Sequence, residues 1–229
     1  MNSNPPPRRE PPSPVLQDDY FPYWQYIQQQ SRRNVAAFLA SQQGAVEEFP
    51  VPSVLSVPEI LLQAVVTFGT DVPEGRSIAA VALPWFDIMD LIQRDPDSIY
   101  QIDPRKWEEL IAGAYDRQGF QVILTPYSGD RGRDVIATRK DVGSIRIFDQ
   151  VKRYKPGHVV TLEEVHAMLG AITGAGGVSK GVVTTTSTFA PRIFENPEIT
   201  RLMPYRLELR DREQLLSWLA SLAKRDQPG

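Results

Sequence analysis

Three polar side chains stand where a β-rich sequence would be expected to bury apolar ones: Asp134 in RDVIATR, and Gln150 and Lys152 in SIRIFDQVKRY. Side chains alternate faces along a strand, so Gln150 and Lys152 point to one side and Val151 to the other. If the two runs pair, one face gathers a carboxylate, an amide oxygen and an ammonium. Glu108 lies next to an apolar helical stripe, at a position that can lean over the end of such a sheet. Oxygen donors of this kind suit a hard divalent cation such as Mg²⁺ or Mn²⁺, which keeps several waters. The cation would polarise a phosphodiester and lower the pKa of an attacking water, while Lys152 would stabilise developing negative charge or orient the water. Each residue also has an ordinary place. Asp134 would cap a turn, Gln150 and Lys152 would line a solvated strand face, and Glu108 would sit on a helix surface; spacing alone does not separate the two readings.

Other chemistries are short of parts. The chain has no cysteine, which removes thiol catalysis, disulfides and cysteine metal sites. His158 and His166 are the only histidines, too few for a zinc site or a histidine-based triad with redundancy. GAGGVSKG lacks both the G-K-[ST] ending of a phosphate loop and the G-x-G-x-x-G spacing, and reads as a turn. No apolar run reaches the length of a membrane span and MNSNPPPRREPPSP has no apolar signal core, so a cytoplasmic protein with no membrane contact is expected.

The elements that must position the candidate residues begin at Asp103. Asp103 is a good N-cap, Pro104 suits the first helical position, and Trp107, Leu110, Ile111, Ala114 and Tyr115 repeat at helical spacing up to Gly119. FQVILT, RDVIATR and SIRIFDQVKRY follow as three β-rich runs with glycine-containing turns, an antiparallel meander. The capping box T-L-E-E at 161–164 opens a second helix. KGVVTTTS reads as a buried strand, APRIFENPEI as a short helix, YRLELR as a strand and DREQLLSWLASLA as a closing helix. The expectation is an α/β fold with a mixed central sheet flanked by helices.

Upstream, residues 1–18 are proline-rich and expected to be a disordered tail. Residues 19–99 read as a mainly helical region suited to partner or dimer contacts. It includes an aromatic-led helix near 20–39, a turn at GTDVPEG and a helix in LPWFDIMDLIQRDP, stopped at Asp95-Pro96. Charge divides unevenly: residues 1–99 hold 6 Lys and Arg against 12 Asp and Glu, residues 100–229 hold 19 against 16. The mildly basic part is compatible with a polyanionic substrate, and the acidic part favours protein contact over nucleic acid.

Four segments in order resemble the Mrr-like restriction endonucleases of the PD-(D/E)xK nuclease superfamily, across most of residues 105–210. They are WEELIAGAYDRQGF, similar to the family's aromatic-Glu helix; SGDRGRDVIA, similar to its G-D-x-G-x-D turn and strand; DQVKRY, similar to its Q-x-K strand; and KGVVTTTSTFAP, similar to the strand and Ser/Thr-rich turn that follow. The resemblance implies a restriction-endonuclease-like core at 100–229. Asp134 is the implied metal-binding aspartate, Gln150 stands for the second acidic ligand, Lys152 is the implied catalytic lysine and Glu108 the helix carboxylate. Glu109 is the fallback for Glu108, and Asp130 shapes the turn. Gln150 replaces the superfamily's Asp or Glu; an amide coordinates without charge, so a loosely held metal is expected.

The implied activity is divalent-metal-dependent hydrolysis of double-stranded DNA in restriction or anti-phage defence. A homodimer or a partner protein held through the N-terminal region would let both strands be cut. A structure-selective repair or junction nuclease and a non-cleaving DNA-binding module are the alternatives. Arg131, Arg133, Arg153 and Lys155, with Arg139 and Lys140, crowd the same hairpins and are expected to contact phosphates. TTTST offers either backbone-binding hydroxyls or plain β-formers.

Overall fold

The computed structural model describes residues 57–126, 132–141 and 143–223; the expected proline-rich tail, the helix near 20–39, Asp130 and Arg131 lie outside them. The described residues fall within one compact unit.

Helix α1 (Val57–Leu62) leads into a hairpin of β1 (Val66–Val72) and β2 (Gly75–Val81). Helix α2 (Leu83–Arg94) ends at Asp95, whose side chain caps the 3-10 turn Pro96–Tyr100 by accepting from Asp97 N. Helix α3 (Pro104–Arg117) starts as its sequence requires: the Asp103 carboxylate accepts from Arg105 N at 2.8 Å. The strands β3 (Gln121–Leu124), β4 (Val135–Asp141) and β5 (Gly143–Lys152) form the expected antiparallel meander. The short β6 (Val159–Val160) precedes α4 (Leu162–Gly174), opened by the Thr161–Glu164 capping box. Then come β7 (Lys180–Thr185), β8 (Thr188–Phe189), α5 (Arg192–Glu195), α6 (Pro197–Thr200), β9 (Leu207–Arg210) and α7 (Arg212–Leu222).

Seven strands make one mixed sheet in the order β1-β2-β3-β4-β5-β7-β9, antiparallel up to β5 and parallel from β5 to β9; β6 and β8 pair separately. Residues 57–99 differ from a mainly helical region in one respect. The β1–β2 hairpin extends the same sheet through Arg76↔Leu124 and Ser77↔Ile123. Only Val66 of its strands is fully buried, with Ile78 and Val81 half-buried against the core, so no sustained hydrophobic alternation marks them in the sequence.

Each sheet face carries its own core. On one, Val135, Ala137 and Val151 meet Trp107, Leu110, Ile111 and Tyr115 of α3 and Leu215 and Leu219 of α7. On the other, Ile136, Phe148 and Val183 meet Val165, Met168 and Ile172 of α4. The close approach of α4 to β7 depends on Gly181, where a Cβ would fall 2.8 Å from Met168 Cγ. Among the described residues no helix is long and apolar enough to cross a membrane.

Candidate active site

Asp134 and Gln150 continue the β4–β5 ladder past its last recorded pair, Val135↔Asp149, and so share the α4 face with Ile136 and Phe148. Asp134 N donates to Asp149 O at 2.9 Å, and its carboxylate turns back over the strand end, where Oδ2 accepts from Val151 N at 2.7 Å. Lys152, two residues beyond Gln150, falls on the same face. The sheet therefore brings Asp134, Gln150 and Lys152 together. Asp134 and Gln150 are each only 9% exposed, so these polar groups are built in rather than left in solvent.

Glu108 reaches this end of the sheet from α3. It is also 9% exposed, and its Oε2 is bonded by Arg105 Nη1, which also donates to Thr125 O at 3.0 Å. Thr125 in turn holds the start of β4: its N–H and its hydroxyl both donate to Asp134 O, at 3.0 and 3.1 Å. Arg105 and Thr125 thus tie Glu108 to the backbone of Asp134. Glu109 takes another direction, pairing at 2.9 Å with Lys106, whose ammonium also donates to Gln63 O. Helix phase therefore favours Glu108 over its neighbour.

The donor set fits a hard cation. Gln150 Oε1 is buried and meets no hydrogen-bond donor among the described residues, an acceptor left for an electropositive partner. No group of three or more His, Cys, Asp or Glu side chains converges among the described residues, so the candidate oxygen donors at this end of the sheet are Asp134 and Gln150 with Glu108 reaching in from α3.

Lys152 faces Glu164 of α4, with Nζ 3.5 Å from Oε1. The Tyr154 hydroxyl bonds the same oxygen, and Thr161 N and Oγ1 donate to Oε2 at 2.9 and 3.1 Å. Burial opposes ionisation of Glu164, but the Thr161 N–H, the Tyr154 and Thr161 hydroxyls and the Lys152 charge together hold its carboxyl below the ordinary range. Burial, then the bond and charge of Glu164, push the Tyr154 hydroxyl well up. In the sequence Glu164 shows only its capping role; its approach to Lys152 requires α4 to lie on the sheet.

Asp149, between Phe148 and Gln150, points to the opposite face and is fully buried. It accepts from the Tyr115 hydroxyl at 2.9 Å and Thr184 Oγ1 at 3.0 Å, with Arg210 Nη1 at 3.5 Å. Burial raises its pKa to about 6, against the lowering effects of Arg210, Tyr115 and Thr184. Arg210 also pairs with Glu208 at 2.7 Å and stacks 3.9 Å over the Trp218 ring. No local signal reveals this network, because its members come from α3, β5, β7, β9 and α7.

The expected phosphate-binding cations divide. Lys155 and Lys140 are exposed. Arg153 donates to Tyr100 O at 2.8 Å and Ile102 O at 3.2 Å, clamping the end of β5 to the chain entering α3. Arg133 lies 4.6 Å over the Phe148 ring and 3.7 Å from Glu74, and Arg139 pairs with Asp141 at 2.7 Å. The threonine hydroxyls are used internally: Thr185 Oγ1 donates to Lys152 O and Thr186 Oγ1 to Tyr154 O, at 2.9 and 2.8 Å.

Comparison with known proteins gives three results. The family profile Mrr_cat, described as restriction endonuclease, matches residues 99–219. The uncharacterized protein y4cE of Sinorhizobium fredii is 27% identical over 135 residues, covering 58% of this chain and 34% of that protein, so the chain spans about a third of its relative's length. Among solved structures, the MspJI restriction endonuclease in complex with a 27-mer oligonucleotide aligns with TM-score 0.36 and 16% identity, over 58% of this chain and 30% of that one. The DNA modification-dependent restriction endonuclease AspBHI aligns with TM-score 0.38 and 15% identity, over 63% and 37%.

Proposed function

The chain belongs to the Mrr-type restriction endonuclease family, and from that premise we propose that it is a divalent-metal-dependent DNA endonuclease whose site is Asp134, Gln150, Lys152 and Glu108. The observation that carries the assignment of the site is the buried Gln150 Oε1, which meets no donor among the described residues, on the strand face it shares with Asp134 and Lys152. Asp134, Gln150 and Glu108 would hold Mg²⁺ or Mn²⁺, which when bound polarises the phosphodiester and acidifies a water.

The chain's own groups supply the rest. Val151 N–H orients one oxygen of Asp134, and Arg105 orients Glu108, so neither carboxylate is free to swing. The Lys152 ammonium stabilises the charge that develops on the phosphoryl oxygens as the bond to the leaving oxygen breaks. Lys155, exposed three residues beyond Lys152, is suited to phosphate contacts flanking the cut, whereas Lys140 lies at the other end of the β4–β5 ladder, opposite Ser144. Cutting both strands of a duplex takes two such sites, so the working form is a homodimer or a complex with a partner protein through the N-terminal region. Its setting is restriction or anti-phage defence in the cytoplasm.

The substrate class is tested by incubating the full chain with supercoiled plasmid and with branched DNA, in Mg²⁺, Mn²⁺ or EDTA. Cleavage of plasmid duplex in metal alone is expected. Cleavage confined to branched DNA would replace restriction with repair, and binding without cleavage in every metal would leave a DNA-binding module.

A further inference from the structure

Glu164 does more than cap a helix. A capping-box glutamate satisfies the N-cap with one carboxylate oxygen, and here Oε2 does so through Thr161 N and Oγ1. The second oxygen, Oε1, turns toward β5, where it takes the Tyr154 hydroxyl and faces Lys152 Nζ at 3.5 Å. The supports of both carboxylate oxygens are fixed: Thr161, at Oε2, by the start of α4, and Tyr154, at Oε1, by Thr186, which accepts from Tyr154 N at 2.9 Å and donates to Tyr154 O at 2.8 Å.

We propose that Glu164 is a positioning residue for Lys152, holding its ammonium on the face shared with Asp134 and Gln150; the inference rests on the nuclease reading above. A lysine ammonium is a point charge on four rotatable methylenes, and untethered it spreads over many rotamers. The side chains of Lys152 and Glu164 are 23% and 22% exposed, so the pair is partly shielded from water. The 3.5 Å separation exceeds the roughly 2.7–2.9 Å of a full charge-assisted hydrogen bond. Glu164 therefore steers the ammonium without consuming its donors, which stay available to a phosphate. It touches neither substrate nor reacting atoms and acts through Lys152.

Glu164→Gln tests this, because glutamine serves equally in a capping box while the charge facing Lys152 is lost. The single-turnover cleavage rate at saturating DNA should fall about tenfold, equivalent to ~1.4 kcal/mol, with DNA affinity and melting temperature unchanged. In a Lys152→Ala background the same substitution should have no further effect. Wild-type cleavage by Glu164→Gln, an equal loss in both backgrounds, or a loss that follows DNA affinity or melting temperature would overturn the proposal. If the unaltered protein cleaves no DNA, the nuclease reading falls separately. NMR relaxation of the Lys152 side chain then decides alone: greater mobility in Glu164→Gln supports the tether, and equal mobility refutes it.

Discussion

Replacing Asp149 with asparagine should remove a stability loss that the unaltered protein suffers as pH rises. The carboxyl is fully buried, and its pKa is raised from 3.8 to about 6. At about 1.4 kcal/mol per pH unit, ionising it in the folded protein is about 3 kcal/mol less favourable than in the unfolded chain. A raised folded-state pKa means that the stabilisation is complete below 3.8 and is lost as pH rises through about 6. Between pH 5 and pH 8 about 1.4 kcal/mol of that loss remains to be felt, since Asp149 is already ionised in the unfolded chain at both. Asparagine keeps an acceptor for Tyr115 and Thr184, and Arg210 keeps Glu208. Urea denaturation of both proteins at the two pH values isolates the effect. The difference in stability between variant and unaltered protein should move by about 1.4 kcal/mol in the variant's favour at pH 8. An identical pH 5 to pH 8 change in the two proteins would refute the reasoning.

Two further predictions address packing and metal binding. Gly113→Ala places a Cβ 2.8 Å from Cδ1 and Nε1 of Trp85, which is fully buried and bonded to Leu110 O. Overpacking and a strained hydrogen bond should outweigh the helical gain of about 1 kcal/mol and destabilise the protein by ~1–3 kcal/mol in urea titration; a neutral or stabilising result would contradict the packing of α2 on α3. Gln150→Glu adds a charge where the amide oxygen has no donor among the described residues. It should tighten Mn²⁺ binding about tenfold by calorimetry, and unchanged or weaker binding by the folded variant would argue against metal at this position.

Features that the sequence displayed are those with local causes. Asp103, Pro104 and the Trp107–Tyr115 stripe specify α3 without help from the rest of the chain, and Thr161 with Glu164 does the same for the start of α4. Strand alternation alone places Gln150 and Lys152 on one face, because a period of two leaves no other choice. The β1–β2 hairpin was illegible for the opposite reason. Few of its side chains are buried and those that pack on the core, Val66, Ile78 and Val81, make no regular alternation, so the turn showed without the strands. Arg153 and Arg133 read as phosphate ligands from composition, yet one caps carbonyls and the other lies against Phe148 near Glu74, contacts set by tertiary structure. Asp149 and Arg210 lie 61 residues apart and meet across β7, and the tie from Glu108 to Asp134 runs through Arg105 and Thr125.

If Asp134, Gln150, Lys152 and Glu108 form one metal-dependent phosphodiesterase site, cleavage requires both the metal and the lysine. The most direct test of that requirement is the single-turnover conversion of supercoiled plasmid by the unaltered chain and by Lys152→Ala, side by side in Mg²⁺ and in EDTA. Cleavage by the unaltered chain in Mg²⁺ only is expected, with the variant slower by about a hundredfold or more. Equal rates for the two proteins, or cleavage that persists in EDTA, would contradict it.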